Sequence, residues 1–485
     1  MRTDARKSAK HDAEQRYREQ RQGHWDMVAR KKDTWQSIGS HYHQLLENLY
    51  THLVSPGQKV LEIGCGTGEL LASLNPSFGV GVDFSEEMIK RASARYPELR
   101  FMQADAHGLV LEDTFDVIVL SDLVNDLWDV QAVFKRLRAL SNHGTRIILN
   151  TYSLVWELPI RLGQIFGLST QVLPQNWLTV DDTTNMLNLA GFDVIRHLPE
   201  ILWPLHATSL SRVLNRYLVK LKPFSNLALT NFIIARLHPE RDGEQEKYRV
   251  SVVIPARNEA GNIEEIFART PDMGDGTELI FVEGNSTDNT YETIEKVMVL
   301  HPERNARLFR QKGKGKGDAV RLGFQNATGN ILMILDADMT VPPEDLPRFY
   351  DAIVSGKGEF INGVRLVYPM ERQAMRYLNM VGNKFFSLAF SWLLGQPIKD
   401  TLCGTKVLSR ENYEKITRNR SYFGEFDPFG DFDLLFGAVK QNMKIVEMPI
   451  RYAERRYGTT NIDRWRHGWL LLKMTAYAMK KIKFI

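Results

Sequence analysis

Residues Ile331–Leu346 read ILMILDADMTVPPEDL. The apolar run Ile331–Leu335 passes directly into Asp336-Ala337-Asp338 and then a Pro-Pro turn. An apolar run bounded by turn residues is the pattern of a buried strand. In extended backbone, residues i and i+2 point to the same side. Asp336 and Asp338 are therefore expected to aim at one spot, just past the strand's carboxyl end. Two like charges held there repel unless something positive sits between them. A hard cation such as Mg2+ or Mn2+ takes oxygen ligands and often keeps substrate phosphates in its shell. The alternative is that the aspartates cap the helix following VPPEDL. The remainder of the chain has to decide between them.

At 485 residues the chain is too long for one ordinary domain. Its 43 % hydrophobic and 25 % charged residues are those of a globular protein. A formal charge of +4 is small for this length, so wholesale nucleic-acid binding is not implied. Cys65 and Cys403 are the only cysteines, too few for a disulfide framework. The start, MRTDARKSAKHDAEQRYREQ, has no apolar core of the signal-peptide kind. FFSLAFSWLLG (Phe385–Gly395) is too short an apolar run to span a bilayer. A cytoplasmic enzyme is expected, with attachment to a membrane surface left open.

HPERDGEQEKYRV is charged, lacks periodicity and reads as a linker. Before it, QKVLEIG, FGVGVDF, LRFMQAD, FDVIVLS and TRIILNT alternate with helical patterns; after it, RVSVVIPA, ELIFVEG and NILMILDAD do so again. Such alternation implies parallel sheets covered on both faces. The expected fold class is α/β with two domains. The boundaries are a charged, solvated helical segment at 1–44, a first domain at 45–240, a linker at 241–248, a second domain at 249–463 and a basic helix at 464–485.

In the first domain, VLEIGCGTGELL is a strand, a glycine-rich turn and a helix start, with Gly64, Gly66 and Gly68 free to let backbone approach a ligand. The spacing is G-x-G-x-G, one residue short of a dinucleotide fingerprint. A second strand ends at Asp83, where a carboxylate can accept from both ribose hydroxyls. A third ends in MQADAHGL, placing Asp105 where an adenine amino group could donate to it. This set resembles the class I S-adenosylmethionine-dependent methyltransferases over roughly residues 45 to 240. The resemblance implies a Rossmann-like sheet and S-adenosylmethionine as cofactor. Glu62, Gly64, Gly66 and Gly68 match the first motif, Asp83 with Phe84 and Met88 the second, and Asp105 with Ala106 the third. FDVIVLSDLVNDLWDV falls at the fourth, where many relatives carry a histidine near the place of Asp126. WLTVDDTTNMLNLAGFDVIRHL fits the helix and strand that close such a sheet. Methyl transfer from a sulfonium needs positioning more than acid–base help, so no residue names the acceptor.

In the second domain, SVVIPARNEAGNIEEI and LIFVEGNSTDNTYETI each read as strand, turn and helix entry. KGKGKGDAVRLGFQNATGN interleaves Gly313, Gly315 and Gly317 with Lys312, Lys314 and Lys316. Backbone N–H groups and ammoniums there could hold a diphosphate. Together with the D-x-D strand these resemble family 2 glycosyltransferases of the polyprenyl-phosphate (dolichyl-phosphate mannose or glucose synthase-like) branch, from Arg249 to about Asn461. The resemblance implies a GT-A fold, a nucleotide-sugar donor, a polyprenyl-phosphate acceptor and a metal on Asp336 and Asp338. Pro255, Asn258 and Glu259 fit the first nucleotide motif, with Arg257 where an aromatic residue is usual. Gly315, Lys316, Gly317, Ala319 and Arg321 fit the family's G-K-G-x-A-x-R loop. Arg365 and Arg376 fit the arginines facing the phosphates. Asp400, Gly404 and Lys406 fall in the segment written D-T-Q-C-G-F-K. Arg455 fits the arginine of P-I-x-F-x-x-R-x-x-G-x-S. The second nucleotide motif departs from V-D-D-G-S: here it is Val282-Glu283-Gly284-Asn285-Ser286, which leaves Glu283 and Ser286 to meet the donor and its nucleotide open. Asn461 replaces the family's final lysine.

A phosphate acceptor is largely ionised at pH 7, by analogy with phosphoamino acids. It needs arginines rather than a base, and Arg365, Arg376 and Arg455 suit that role. A glycan or small-molecule hydroxyl acceptor would need a base, for which Asp431 in FGDFDLLF is available. The amino-terminal half could also be a module that only senses S-adenosylmethionine. The tail RWRHGWLLLKMTAYAMKKIKFI has no acidic residue and combines tryptophan and leucine with cations. That pattern suits a helix lying on an anionic membrane surface, the alternative being a last packing helix. A peripheral position on the cytoplasmic face is expected.

Overall fold

The computed structural model describes residues 2–31, 40–165, 173–206, 208–239, 247–365, 377–419, 431–450, 455, 457 and 464–484. The chain forms two compact units, Met1–His238 with Phe484–Ile485, and Pro239–Lys483.

The first unit is built on strands β1 (Lys59–Ile63), β2 (Phe78–Asp83), β3 (Arg100–Gln103), β4 (Val117–Leu120), β5 (Arg146–Tyr152), β6 (Phe192–Glu200) and β7 (Thr230–Leu237). They lie in the order β3-β2-β1-β4-β5-β7-β6. Alternate residues feed opposite faces. Leu61, Ile118, Leu120, Ile147 and Leu149 enter one core; Val60, Val117, Val119 and Ile148 enter the other. A sheet buried on both faces needs such near-continuous apolar strands. Helices cover it where a side chain can satisfy their first N–H groups. Ser85 caps Glu86–Arg95, Asp129 caps Val130–Leu137, and Thr179 with Asp182 forms a capping box on Val180–Leu189.

The second unit repeats the plan with β8 (Val250–Ala256), β9 (Thr277–Glu283), β10 (Asn305–Arg310), β11 (Ile331–Ile334), β12 (Phe360–Val364), β13 (Lys406–Ser409) and β14 (Ile445–Pro449), ordered β10-β9-β8-β11-β13-β12-β14. Val253, Ile280, Val282, Leu332 and Ile334 pack on one side of this sheet, and Val252, Ile254, Phe281, Ile331 and Met333 on the other.

Neither sheet is wholly parallel, contrary to the strand–helix alternation. β7 runs antiparallel to β5 and β6, and β13 antiparallel to β11 and β12. The cause is topological. The segment after β6 begins at Glu200 and returns at Thr230, which are register partners. The segment after β12 likewise returns to Lys406 opposite Asn362. Each excursion starts and ends at the same edge of its sheet, so the next strand must run back. In both sheets the chain order switches sides about the first strand, β1 or β8, opening a crevice at the carboxyl ends where ligands of open α/β sheets bind.

The tail is a last helix, Arg464–Ala478, continued by a short π-helical turn at Met479–Lys483. Met474 and Ala478 are buried in the second unit's core, and Tyr477, Met479 and Ile482 pack against it. Trp469 and Leu472 remain exposed. The tail therefore packs on its domain along one face. Among the described residues no helix is long and apolar enough to cross a membrane.

Phe281 is fully buried and stacks on Phe267 with ring centroids 4.9 Å apart. Phe281→Ala is expected to destabilise the second unit by about 3–5 kcal/mol through lost burial and a cavity. Denaturant unfolding should then show the transition of one unit moved and the other in place.

Candidate active sites

In the second unit the loops leaving β8, β9 and β11 each contain a non-glycine residue in the left-handed region: Asn258, Asn285 and Met339, all at φ 58°. Such backbone persists only where its surroundings over-determine it, and it clusters at functional sites. Here the first two loops are laced together. The Asn258 N–H donates to Ser286 Oγ (3.0 Å), and Thr287 N donates to Asn258 Oδ1 (2.8 Å). Glu259 N donates to Thr290 Oγ1 (3.0 Å), and Ser286 N donates to Glu283 Oε1 (2.5 Å). Asn258, Glu259, Glu283 and Ser286 thus share one region, with Pro255 in the strand behind them. Arg310 approaches Glu283 (3.5 Å) and lies over the Tyr291 ring (4.0 Å).

The strand that carries the acidic pair ends at Ile334, so Asp336 and Asp338 sit beyond it, Asp338 in a turn. The strand alternation expected to aim them at one spot does not operate; the turn redirects the chain, and each carboxylate meets a different cation. Asp336 Oδ1 pairs with Lys316 Nζ at 2.6 Å. Asp338 Oδ2 accepts from Arg455 Nη2 at 2.9 Å, while Arg455 Nη1 lies 3.1 Å from Glu259 Oε1. The other Asp338 oxygen accepts from Thr340 N (3.1 Å) and Thr340 Oγ1 (2.7 Å).

Lys316 opens the helix Lys316–Asn326, capped by Gly315 at φ 88°, with Gly317 and Ala319 buried beneath and Arg321 half-buried. Gly404 is required by close approach: a β-carbon there would overlap both the Asp336 carboxylate and the Lys316 ammonium. Burial works to raise the Asp336 carboxyl, but Lys316, Lys406 and Arg365 outweigh it and hold the group below the usual carboxylate range. Lys406 itself is fully buried and donates to the Cys403 carbonyl. Arg365 grips Asp400 in a two-point pair, Nε–Oδ2 2.7 Å and Nη2–Oδ1 2.8 Å. Arg376 and Asn461, and the side chain of Asp431, lie outside the described residues.

Carboxylate oxygens are the donors a hard cation takes. Asp336 and Asp338, both half-buried, are such donors, each here paired with a cationic side chain, Lys316 or Arg455. Among the described residues no group of three or more His, Cys, Asp or Glu side chains is placed to hold a metal, so further ligands would come from the substrate's phosphates and water.

In the first unit a cavity of about 480 Å³, counting its open mouth, lies at the carboxyl ends of β1, β2 and β4. Gly64, Asp83, Phe84, Asp105 and Ala106 line it. Gly64, Gly66 and Gly68 have φ of 78°, 51° and 81°. A β-carbon on Gly68 would come within 2.8 Å of the Phe101 ring. Asp83 accepts from Gly66 N and Ser85 N, each at 2.9 Å, which fixes the loop. Glu62 and Met88 are buried behind the wall, and one Glu62 carboxyl oxygen has no partner. Burial pushes the Glu62 carboxyl well up.

The side of this cavity that sequence reasoning missed comes from the helix Arg2–Lys31. Tyr17, Arg18 and Arg21 line the cavity together with Asp126 and Trp128. Arg18 Nε is 2.9 Å from Asp105 Oδ2, and Arg21 Nε is 3.0 Å from Asp126 Oδ1. Trp25 Nε1 donates to Asp126 Oδ2 at 2.9 Å. Tyr17, Arg21 and Trp25 recur every four residues, which puts them on one helix face; that spacing was the available signal.

Residues 251–417 match the family described as Glycosyl transferase family 2, and residues 60–144 the one described as Methyltransferase domain. A dolichyl-phosphate hexose transferase of Haloferax volcanii is 31 % identical over 222 residues, 45 % of this chain and 89 % of its own length. The glycosyltransferase AglJ of the same organism is 30 % identical over 224 residues, 46 % of this chain and 69 % of its own. The chain belongs to glycosyltransferase family 2. A dolichol-phosphate mannosyltransferase of Pyrococcus furiosus is 29 % identical over 252 residues, 49 % of this chain and 67 % of its own. The family 2 member described here is thus an enzyme that also carries a methyltransferase domain.

Glu259 gives the family 2 site a pH signature. Burial raises its carboxyl from 4.5 to about 7, against the lowering pull of Arg455 and with Asp338 adding to the rise. Folded protein therefore holds a proton that unfolded protein has lost, and the stability this brings is lost as pH rises from about 4.5 to about 7. Glu259→Gln should flatten that slope. Denaturant titrations at about pH 5 and about pH 8 measure it; an unchanged slope in the variant would assign the pH dependence elsewhere.

Proposed function

We propose that the second unit transfers a sugar from a nucleotide sugar to a polyprenyl phosphate, with inversion, and that the first unit transfers a methyl group from S-adenosylmethionine. The observation that carries the sugar-transfer reading is the arrangement of Lys316 and Arg455 on Asp336 and Asp338, with Arg365 and Lys406 adding positive potential.

An acceptor phosphate oxygen bonds to the anomeric carbon from the face opposite the leaving group. The bond from that carbon to the donor diphosphate breaks, and the nucleoside diphosphate departs with the electron pair. The acceptor is already an anion, so no base has to take its proton. The difficulty is repulsion between two phosphate groups, which a ring of cations relieves. Lys316 and Arg455 supply it directly. Arg365, anchored by Asp400, sets the orientation of the strand end behind them. A divalent cation on Asp336 and Asp338 would neutralise the leaving diphosphate. The relatives named for dolichyl or polyprenol phosphate act on the same acceptor class, which supports the reading.

In the first unit, the glycine loop at Gly64 to Gly68 would let backbone approach the methionine part of S-adenosylmethionine. Asp83 stands where ribose hydroxyls would donate and Asp105 where an adenine amino group would. Arg18 pairs with the same Asp105 carboxylate. Exposed Phe385, Leu388, Trp469 and Leu472, with Lys384 and Lys473 beside them, support a seat for the second unit on a lipid surface.

Asp338→Asn is expected to lower sugar transfer by about a hundredfold or more, because it removes a charge that both Arg455 and a metal would use. Labelled nucleotide sugar and extraction of the lipid product measure this on full-length protein. Unchanged transfer by the variant, together with indifference to a chelator, would remove the acidic pair from the mechanism.

A further inference from the structure

Two helices of the first unit turn their apolar faces outward. In Glu157–Ile165, Leu158, Leu162 and Ile165 fall on one face; Leu158 is 67 % and Ile165 77 % exposed, and no side chain of the helix is buried. In Thr208–Arg216, Leu210 and Val213 are 53 % and 50 % exposed. Its polar face is the one that grips the domain. Ser211 is buried and bonds His41 Nε2 (3.1 Å), and Asn215 Oδ1 accepts from Leu202 N (2.9 Å) and Trp203 N (2.7 Å). This inverts the usual amphipathic arrangement. Leu221, Phe224 and Leu227, which follow in the chain, are exposed as well.

These segments are tied together at their ends. Trp156 Nε1 donates to the Leu227 carbonyl (2.8 Å), Ser153 N to Leu229 O (2.8 Å), and Leu229 N to Ile201 O (2.7 Å). They leave the sheet at the carboxyl ends of β5 and β6, the edge at which the cofactor cavity opens. From Ile201 to His238 the sequence contains no aspartate or glutamate, while Arg212 and Lys222 are exposed beside the apolar side chains.

We propose that this face docks the methyltransferase unit on an anionic phospholipid bilayer, so that its methyl acceptor is presented at the membrane surface. The proposal rests on the methyl-transfer reading above and extends it to the location of the acceptor. Outward leucines and valine flanked by cations of one sign match the headgroup–acyl boundary of an anionic leaflet. A contiguous exposed apolar patch marks an interaction surface. A second copy of the chain is a poorer occupant, because it would bring the same excess of cations and only Glu157, already paired with Arg161 at 2.7 Å, to meet them.

The test is flotation of the full-length protein with phosphatidylcholine vesicles, with and without phosphatidylglycerol. The parent should float with the anionic vesicles. Leu158→Glu/Leu210→Glu should float severalfold less while still giving heat with S-adenosylmethionine in calorimetry. Arg212→Glu/Lys222→Glu changes only exposed side chains, which keeps the test open if the first variant misfolds; it should weaken binding to anionic vesicles specifically. A parent that does not float, or variants that float as the parent does, would overturn the proposal. So would a parent that light scattering shows to be a dimer and the variants monomers, with flotation unchanged. Heat with S-adenosylmethionine reports on the methyl-transfer reading separately, because cofactor binding needs no bilayer.

Discussion

Three carboxylates, Glu259, Asp336 and Asp338, are placed at the carboxyl edge of the second sheet, and they can stay there only against cations. Arg455 bridges two of them and Lys316 holds the third. These groups come from separate parts of the chain. Glu259 follows β8, the aspartates follow β11, Lys316 follows β10, and Arg455 follows β14. Buried Lys406, which contributes to the field at Asp336, opens β13. The sheet order is what brings these loops to one edge. Gathering so many charges at one edge is costly, and such clusters mark candidate functional sites.

The first unit solves a similar problem with another set of parts. Asp83, Asp105 and Asp126 face one cavity. Backbone N–H groups satisfy the first, Arg18 and His107 the second, and Arg21 with Trp25 the third. Burial still pushes Asp126 up despite those partners. Ion pairs and one indole N–H tie the amino-terminal helix to the cavity, with Tyr17 packing edge-on against Trp128 at 5.0 Å.

That explains what the sequence could and could not reveal. Strands that end at or just before Gly64, Asp83, Asp105, Glu283 or Asp336 are legible because an apolar run stopping near a chemically distinct residue is a local signal. Dense charge makes the amino-terminal helix read as solvated, yet it contributes Arg21, which is buried against Asp126 and over the Tyr17 ring. Periodicity reports apolar burial and is silent on buried ion pairs. It also gives a helix its apolar face without saying which way that face points, so the outward stripes at Leu158 and Leu210 were invisible. The antiparallel strands β7 and β13 depend on where long excursions return, which no local pattern encodes. β11 ends at Ile334, one residue before its apolar run does, and a turn at Ala337–Asp338 followed by left-handed Met339 is not something an alternation rule anticipates.

The central claim is that an anionic phosphate, not a hydroxyl, receives the sugar. It is tested by supplying the full-length protein in detergent with a panel of nucleotide sugars and either undecaprenyl phosphate or undecaprenol, then reading the lipid fraction by mass spectrometry. The account predicts a new glycosyl phosphate lipid from undecaprenyl phosphate and none from undecaprenol. Sugar transfer to the free alcohol, with undecaprenyl phosphate left unmodified by every donor, would contradict it.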